Sequence, residues 1–405
     1  MNAADTGFIL ICTALVMFMT PGLALFYGGM TRSKNVLGTI MQSFIALAVI
    51  TVVWVLWGYS LAFGTDMGGL IGGFDYLGLK GVGMTPHPDM ASTIPHLAFM
   101  MFQCMFAIIT PALITGAFAE RLKFSAFLVF IVLWSTLVYS PLCHWVWGGG
   151  WMGAMGALDF AGGAVVHMSS ASAALAAILV IGPRRGYGKR SFIPHNLPMT
   201  ITGAAILWFG WFGFNAGSAL AANGLAASAF VTTQIAAAAA ALGWIFVEWK
   251  HNGKPTTLGA ASGAVAGLVA ITPGAGFVGV VPSLIIGFLA GGICYGAVLL
   301  KTKLRYDDSL DVVGIHGVGG IWGALATGLF ASTAINPDGA NGLFYGNPQQ
   351  LWIQFVSVVA TCLFSFTVSY VLFKIIDRTI GVRVGGDEEE MGLDVAQHSE
   401  HGYQL

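Results

Sequence analysis

Eleven long apolar stretches run along this chain, and they constrain its fold more than any other feature. They cover about 7–30, 36–63, 94–118, 124–142, 159–182, 197–217, 224–249, 257–273, 278–300, 311–331 and 351–376. A bilayer core of roughly 30 Å needs about 20 apolar residues per helix. In hydrocarbon the backbone must also bond within its own segment. The expected class is therefore all-α: a polytopic membrane protein with eleven transmembrane helices. Composition agrees, with 56 % hydrophobic and only 9 % charged residues. A soluble domain carries roughly 25 % charge. The formal net charge of −1 gives nucleic acid nothing to bind.

The basic residues provide an independent check on the count. Lys and Arg accumulate in cytoplasmic loops. With the N-terminus outside and loops assigned alternately, 16 of the 17 basic residues fall on the inner side, and only Lys80 falls outside. A missed or invented span would scramble every assignment after it. The sequence thus predicts a multi-pass protein of the cell (inner) membrane, N-terminus outside and C-terminus cytoplasmic. It also predicts a division into a transmembrane domain over 1–381 and a cytoplasmic tail over 382–405. The tail opens on Asp387 and Glu388–Glu390 and reads by composition as a solvated, disordered end. The five cysteines lie in or beside apolar stretches without paired spacing, and read as reduced, buried hydrophobes.

Ionisable residues inside spans cost about 2.5–3.5 kcal/mol on insertion scales, so each one needs a reason. Asp159 opens the fifth span. A short acid before a helix accepts bonds from its free N–H groups, and a buried carboxylate also favours a nearby cation. Both readings stand. His167 lies eight residues further on, about 12 Å along a helix, and His316 lies in the tenth span. Glycines surround both: Gly162 and Gly163 in one case, Gly314, Gly317, Gly319 and Gly320 in the other. Helices this thin can bring the two imidazoles together, where a neutral pair shares one proton. A metal site fits poorly, because a third ligand at the right depth is missing, and no cofactor is expected. Glu120 and Arg121 read as a capping or interhelical pair, and Glu248 as interfacial. His96, His195 and His251 read as water-accessible span ends. Residues 143–158 read as an outer loop, in which His144, Trp145 and Trp147 form an interfacial aromatic cluster. The Trp147 face can also attract a small, partly desolvated cation.

Taken in order, several segments resemble the ammonium transporter family, Amt/Mep/Rh, of the bacterial channel type. They include Pro21–Gly29, Phe102–Ala107, Gly116–Arg121, Val146–Gly150, Gly156–Gly163, Pro194–Pro198, Trp211–Ser218, Gly259–Leu268 and Asp311–Gly317. The resemblance implies an ammonium or ammonia channel and not an enzyme, built as two inverted five-helix repeats plus one helix and assembled as a homotrimer. It implies a recruitment site at Phe106, Trp147 and Ser218, with Asp159 as the carboxylate below it. Phe106 and Phe214 match the stacked rings that block the pore, and His167 and His316 the twin histidines of the lumen. Ammonium or ammonia is the implied substrate, with methylammonium as analogue. The tail ending at Tyr403 matches one that packs beneath the trimer, where a PII-type signal protein can bind. An ammonium sensor and a Rh-type neutral-gas channel are the alternative readings. Trp147 and Ser218 argue against the second, since a cation site has little use for neutral gas.

Overall fold

The computed structural model describes residues 1–403. The final two residues of the expected tail, 404–405, lie outside the described residues. Eleven apolar helices form the body: Ala3–Met30, Ser33–Phe63, His96–Phe118, Phe124–Met155, Gly163–Ile181, Leu197–Gly217, Gly224–Asn252, Thr257–Ile271, Val280–Leu304, Val313–Phe330 and Pro348–Thr379. Ten are long enough to cross a bilayer alone, and Thr257–Ile271 is the short one. They are called the first to the eleventh below. Between the second and third helices, two small antiparallel hairpins pair Asp66–Met67 with Ile71–Gly72 and Pro86–His87 with Ala91–Pro95. This end of the molecule is the mouth. The opposite end carries the tail.

Lipid is as apolar as a leucine side chain, so helix contact in a membrane depends on close packing. The first and sixth helices meet backbone to backbone: a Cβ on Gly203 would lie 2.2 Å from the Phe26 nitrogen. Two stretches are built alike. Asp159 precedes His167 by eight residues, and Asp308 precedes His316 by eight. Each histidine lies in a wide π-helical turn, Gly163–Met168 or Val313–Gly317, at the start of its helix. Such turns recur at functional sites because they re-aim a side chain. This parallel is the local trace of the inverted repeat.

The structure corrects several expectations. The fourth helix does not end near 142 but continues to Trp147, breaks at Gly148–Gly150 and resumes over Trp151–Met155. His144 is therefore no interfacial loop residue. It is fully buried, one ring nitrogen on the Ala62 carbonyl and the other 2.9 Å from Asp66. His96 is buried too, hydrogen-bonded to the Tyr59 hydroxyl. Glu248 is buried rather than interfacial, and accepts bonds from the Thr256 N–H and hydroxyl. His195, by contrast, is part-exposed at a span end as expected, and is held by the Thr31 carbonyl and the Tyr403 hydroxyl.

Glu120 and Arg121 do not pair with each other. Glu120 binds Arg32 at 2.7 Å, and Arg184 stands 3.6 Å away. Arg121 is wholly buried, and its guanidinium donates to the Asp307 and Ala117 carbonyls and the Ser309 hydroxyl. Burial alone would raise the Asp307 carboxyl, but hydrogen bonds from Arg184 and the charge of Arg121 hold it below the usual carboxylate range. Burial pushes its neighbour Asp308 up to about 6.

The tail is ordered rather than solvated. Gly386–Met391 and Leu393–His398 are short helices packed on the body. Asp394 accepts from the Leu37 and Gly38 N–H groups, so it caps the start of the second helix. Glu389 is buried against Arg383 and the Arg185 N–H. Composition suggested disorder because it counts charges without seeing their partners.

Candidate functional site

Asp159 lies in the short non-helical segment before the fifth helix. One carboxylate oxygen accepts from Gly162 and Gly163 at 2.8 and 2.6 Å, and the other from Ala164 and Val165 at 2.8 and 3.3 Å. Gly162 has φ +116°, a backbone conformation that a β-carbon disfavours, and this lets the chain fold back over the carboxylate. The carboxylate thus takes up the free donors of the helix start, where the helix dipole also favours negative charge. The Asp159 carbonyl accepts from the Trp147 indole at 2.8 Å. Trp147 closes its own helix run just before Gly148, so helix geometry fixes this ring more tightly than a loop would.

From Trp147 inward the rings form one column. Trp147 and Phe106 stand edge to face with centroids 5.9 Å apart. Phe106 and Phe214 lie 4.3 Å apart at 34°. Phe214 and His167 follow at 6.2 Å, and His167 and His316 at 5.3 Å and 28°. The imidazoles meet through their Nδ1 atoms at 3.2 Å. Gly320 permits the approach of the fifth and tenth helices: a Cβ there would sit 3.3 Å from the His167 Cβ.

Above the column lies a cavity of ≈ 670 Å³, lined among others by Gln103, Phe106, Trp147 and Ser218. The Ser218 hydroxyl donates to the Phe214 carbonyl at 2.9 Å and keeps its lone pairs free for a donor in this cavity. Below the phenylalanine pair the space contracts to ≈ 10 Å³, walled by Leu23, Ile109, Trp211, Val265 and the two histidines. That is about the room of one water. His167 Nε2 is buried and has no hydrogen-bond partner.

The chemistry follows from the shared proton. With one proton between the two Nδ1 atoms, the histidine that supplies it presents a bare Nε2 lone pair, and its partner presents an N–H. The pair can therefore accept from and donate to a small polar molecule in an otherwise apolar tube. Among the described residues no group of three His, Cys, Asp or Glu side chains is arranged to hold a metal ion.

The sequence reading missed three supports. Trp211 stacks on His167 at 5.4 Å and donates to Thr272 at 2.9 Å. Asp66 holds His144. Gln354 of the eleventh helix grips the residue before Asp159. Only the last left a signal: Gln350 and Gln354 stand one turn apart at the start of a membrane-spanning helix.

A helical membrane protein with a polar mouth cavity, a stacked phenylalanine pair and a narrow apolar space holding two histidines belongs to the class of channels and transporters for small polar solutes. The comparisons identify which. The model of the Ammonium Transporter Family matches residues 7–403, and the chain belongs to that family. It is 55 % identical over 405 residues to an ammonium transporter of Bacillus subtilis, covering 100 % of this chain and 99 % of the relative. It is 48 % identical to the ammonium transporter Amt1 of Archaeoglobus fulgidus, covering both chains fully. The crystal structure of Candida albicans Mep2 superposes with a TM-score of 0.91 at 38 % identity, covering 100 % of this chain and 91 % of that one. A sensor Amt protein superposes with a TM-score of 0.90 at 28 % identity, covering 98 % of each chain.

Proposed function

We propose that the protein carries ammonium nitrogen across the cell membrane by recruiting ammonium at the mouth, removing its charge and conducting ammonia through the lumen. The observation that carries this reading is the unbroken column from Trp147 to His316, with successive ring centroids 5.9, 4.3, 6.2 and 5.3 Å apart. Phe106 and Trp147 offer π faces to a cation, Ser218 offers a hydroxyl acceptor, and Asp159 supplies negative charge just beneath. A bare ion cannot pass the tube below. Moving it from water into a medium of low dielectric costs of the order of 20 kcal/mol in the idealised limit. Ammonium escapes that cost by giving up a proton. Potassium, of similar size, has none to give. His167 and His316 then guide ammonia, and their shared proton offers a route for the one released.

Further parts of the reading are the sidedness, the assembly and the regulation. The asymmetry of Lys and Arg supports a mouth that faces outside and a tail that faces the cytoplasm. Exposed apolar faces such as that of Leu284, Phe288 and Leu242 suit contact with two further copies in a homotrimer. Residues 382–405 act as a regulatory tail, and a PII-type protein is the kind of partner that would bind beside it.

The test is flux through purified protein in proteoliposomes. We expect saturable methylammonium uptake, competed by ammonium and unaffected by a hundredfold excess of potassium. Binding without flux would indicate a sensor instead. Equal potassium passage would overturn the charge-removal step.

A further inference from the structure

The eleventh helix lines neither the mouth cavity nor the lumen, yet it buries a glutamine against the site. We infer that Gln354 is a positioning residue for the mouth, fixing the Asp159 segment and through it the Trp147 indole. Its side-chain oxygen accepts from the Leu158 N–H at 2.8 Å. Its side-chain nitrogen donates to the Leu158 carbonyl at 2.8 Å and to the Ala324 carbonyl of the tenth helix at 3.1 Å. Gln354 is only 1 % exposed. One side chain thus satisfies both backbone groups of the residue immediately before Asp159 and ties them to the tenth helix. Gln350 adds a bond to the Gly156 carbonyl at 3.0 Å.

Geometry explains the need. Residues 156–162 are irregular backbone, buried at Leu158 and Asp159, and buried backbone groups need hydrogen-bond partners. Helix bonds cannot serve them. On one side the segment is held by the Asp159 carboxylate capping the fifth helix. On the other it is held by Gln354. Between these anchors the Asp159 carbonyl receives the Trp147 indole. Loss of the Gln354 clamp releases the Leu158 end of the segment, so the indole and the carboxylate lose their fixed relation. The expected consequence falls on recruitment, not on the lumen.

The inference rests on the proposed role of Trp147 and Asp159 in recruitment, and the experiment separates the two. Gln354→Met keeps the length of the side chain and removes every bond. In proteoliposomes its KM for methylammonium should rise roughly tenfold, with the maximal rate within about twofold of wild type. Ser365→Ala is the control. It deletes a buried bond from the same helix to the Ser169 carbonyl, 2.6 Å long and further from the mouth. It should cost stability without moving KM. Should Gln354→Met fail to fold, Gln354→Glu serves, because the protonated acid keeps one acceptor and one donor. Its KM should climb with pH, as ionisation sets the carboxylate against the Leu158 carbonyl. An unchanged KM in folded Gln354→Met, a KM shift of equal size in Ser365→Ala, or a wild-type, pH-independent KM in Gln354→Glu would each overturn the inference. Trp147→Leu is measured alongside. If its KM is also unchanged, the recruitment reading itself fails.

Discussion

Replacing Asp159 separates its two roles, capping a helix and supplying charge. Its carboxylate accepts four backbone N–H groups, three of them within 2.8 Å. A hydrogen bond to a charged group contributes about 1.5–3 kcal/mol, and an orphaned buried donor costs about 1–3. The four donors share one carboxylate and relax together, so their losses do not add. We expect Asp159→Ala to cost about 3–5 kcal/mol, in the range of a broken buried network. Asp159→Asn keeps one oxygen, enough for the Gly162 and Gly163 pair, and sets an NH2 group against Ala164 and Val165. Its stability cost should be about half as large. Uptake should not follow that ratio. If the negative charge acts on the cation, both variants lose at least a hundredfold in methylammonium uptake, equivalent to about 2.7 kcal/mol or more in the barrier. The assay is initial uptake into proteoliposomes, normalised to protein that elutes at the native position in gel filtration, with thermal midpoints measured in parallel. A folded Asp159→Ala with wild-type uptake would show that the charge does not act on the cation. Uptake that merely tracks the thermal midpoint across Ala, Asn and wild type would reduce Asp159 to a helix cap.

Other predictions concern the tail end. Burial raises the Asp308 carboxyl from its ordinary 3.8 to about 6, so between those values the folded protein binds more protons than the unfolded chain. Stability should therefore fall as pH rises from about 4 to about 6, and Asp308→Asn should flatten that slope in thermal melts. Asp307→Asn strips Arg184 and Arg121 of their shared carboxylate and should cost about 3–5 kcal/mol. A loss below 1 kcal/mol in the thermal midpoint analysis would contradict that. Asp394→Ala should release the tail, raising hydrogen exchange over 386–398 while leaving basal uptake near wild type. Removing residues 392–405 should likewise weaken regulation more than transport, and equal loss of both would point to a folding role.

Much of the architecture was legible because a bilayer reduces folding to length, polarity and sidedness. Helices of about 20 apolar residues announce themselves, and costly charges mark the exceptions. His167 and His316 stood out because little else ionisable occurs at their depth. The failures share one cause: composition describes a residue alone, whereas its environment depends on partners distant in sequence. His144 reads as a wet-loop residue because nothing local reveals Asp66, 78 positions earlier. The sequence marks Glu120 and Arg121 as capping or interhelical groups but does not name the partners of Glu120, Arg32 and Arg184, which come from other loops. The tail reads by composition as solvated because its acids find Arg383 and the start of the second helix only after folding. The glutamines at the start of the eleventh helix mark polarity but not partners, and only the three bonds of Gln354 to distant backbone make it a clamp.

Removal of charge before the lumen is crossed depends on the histidine pair. The most direct measurement is ammonium-evoked current across proteoliposomes, comparing wild type with variants in which His167 and His316 are replaced by apolar residues. The wild type should carry a current that excludes potassium. The variants should lose the proton-coupled current or that exclusion. An unchanged current together with unchanged potassium exclusion would contradict this role of the pair.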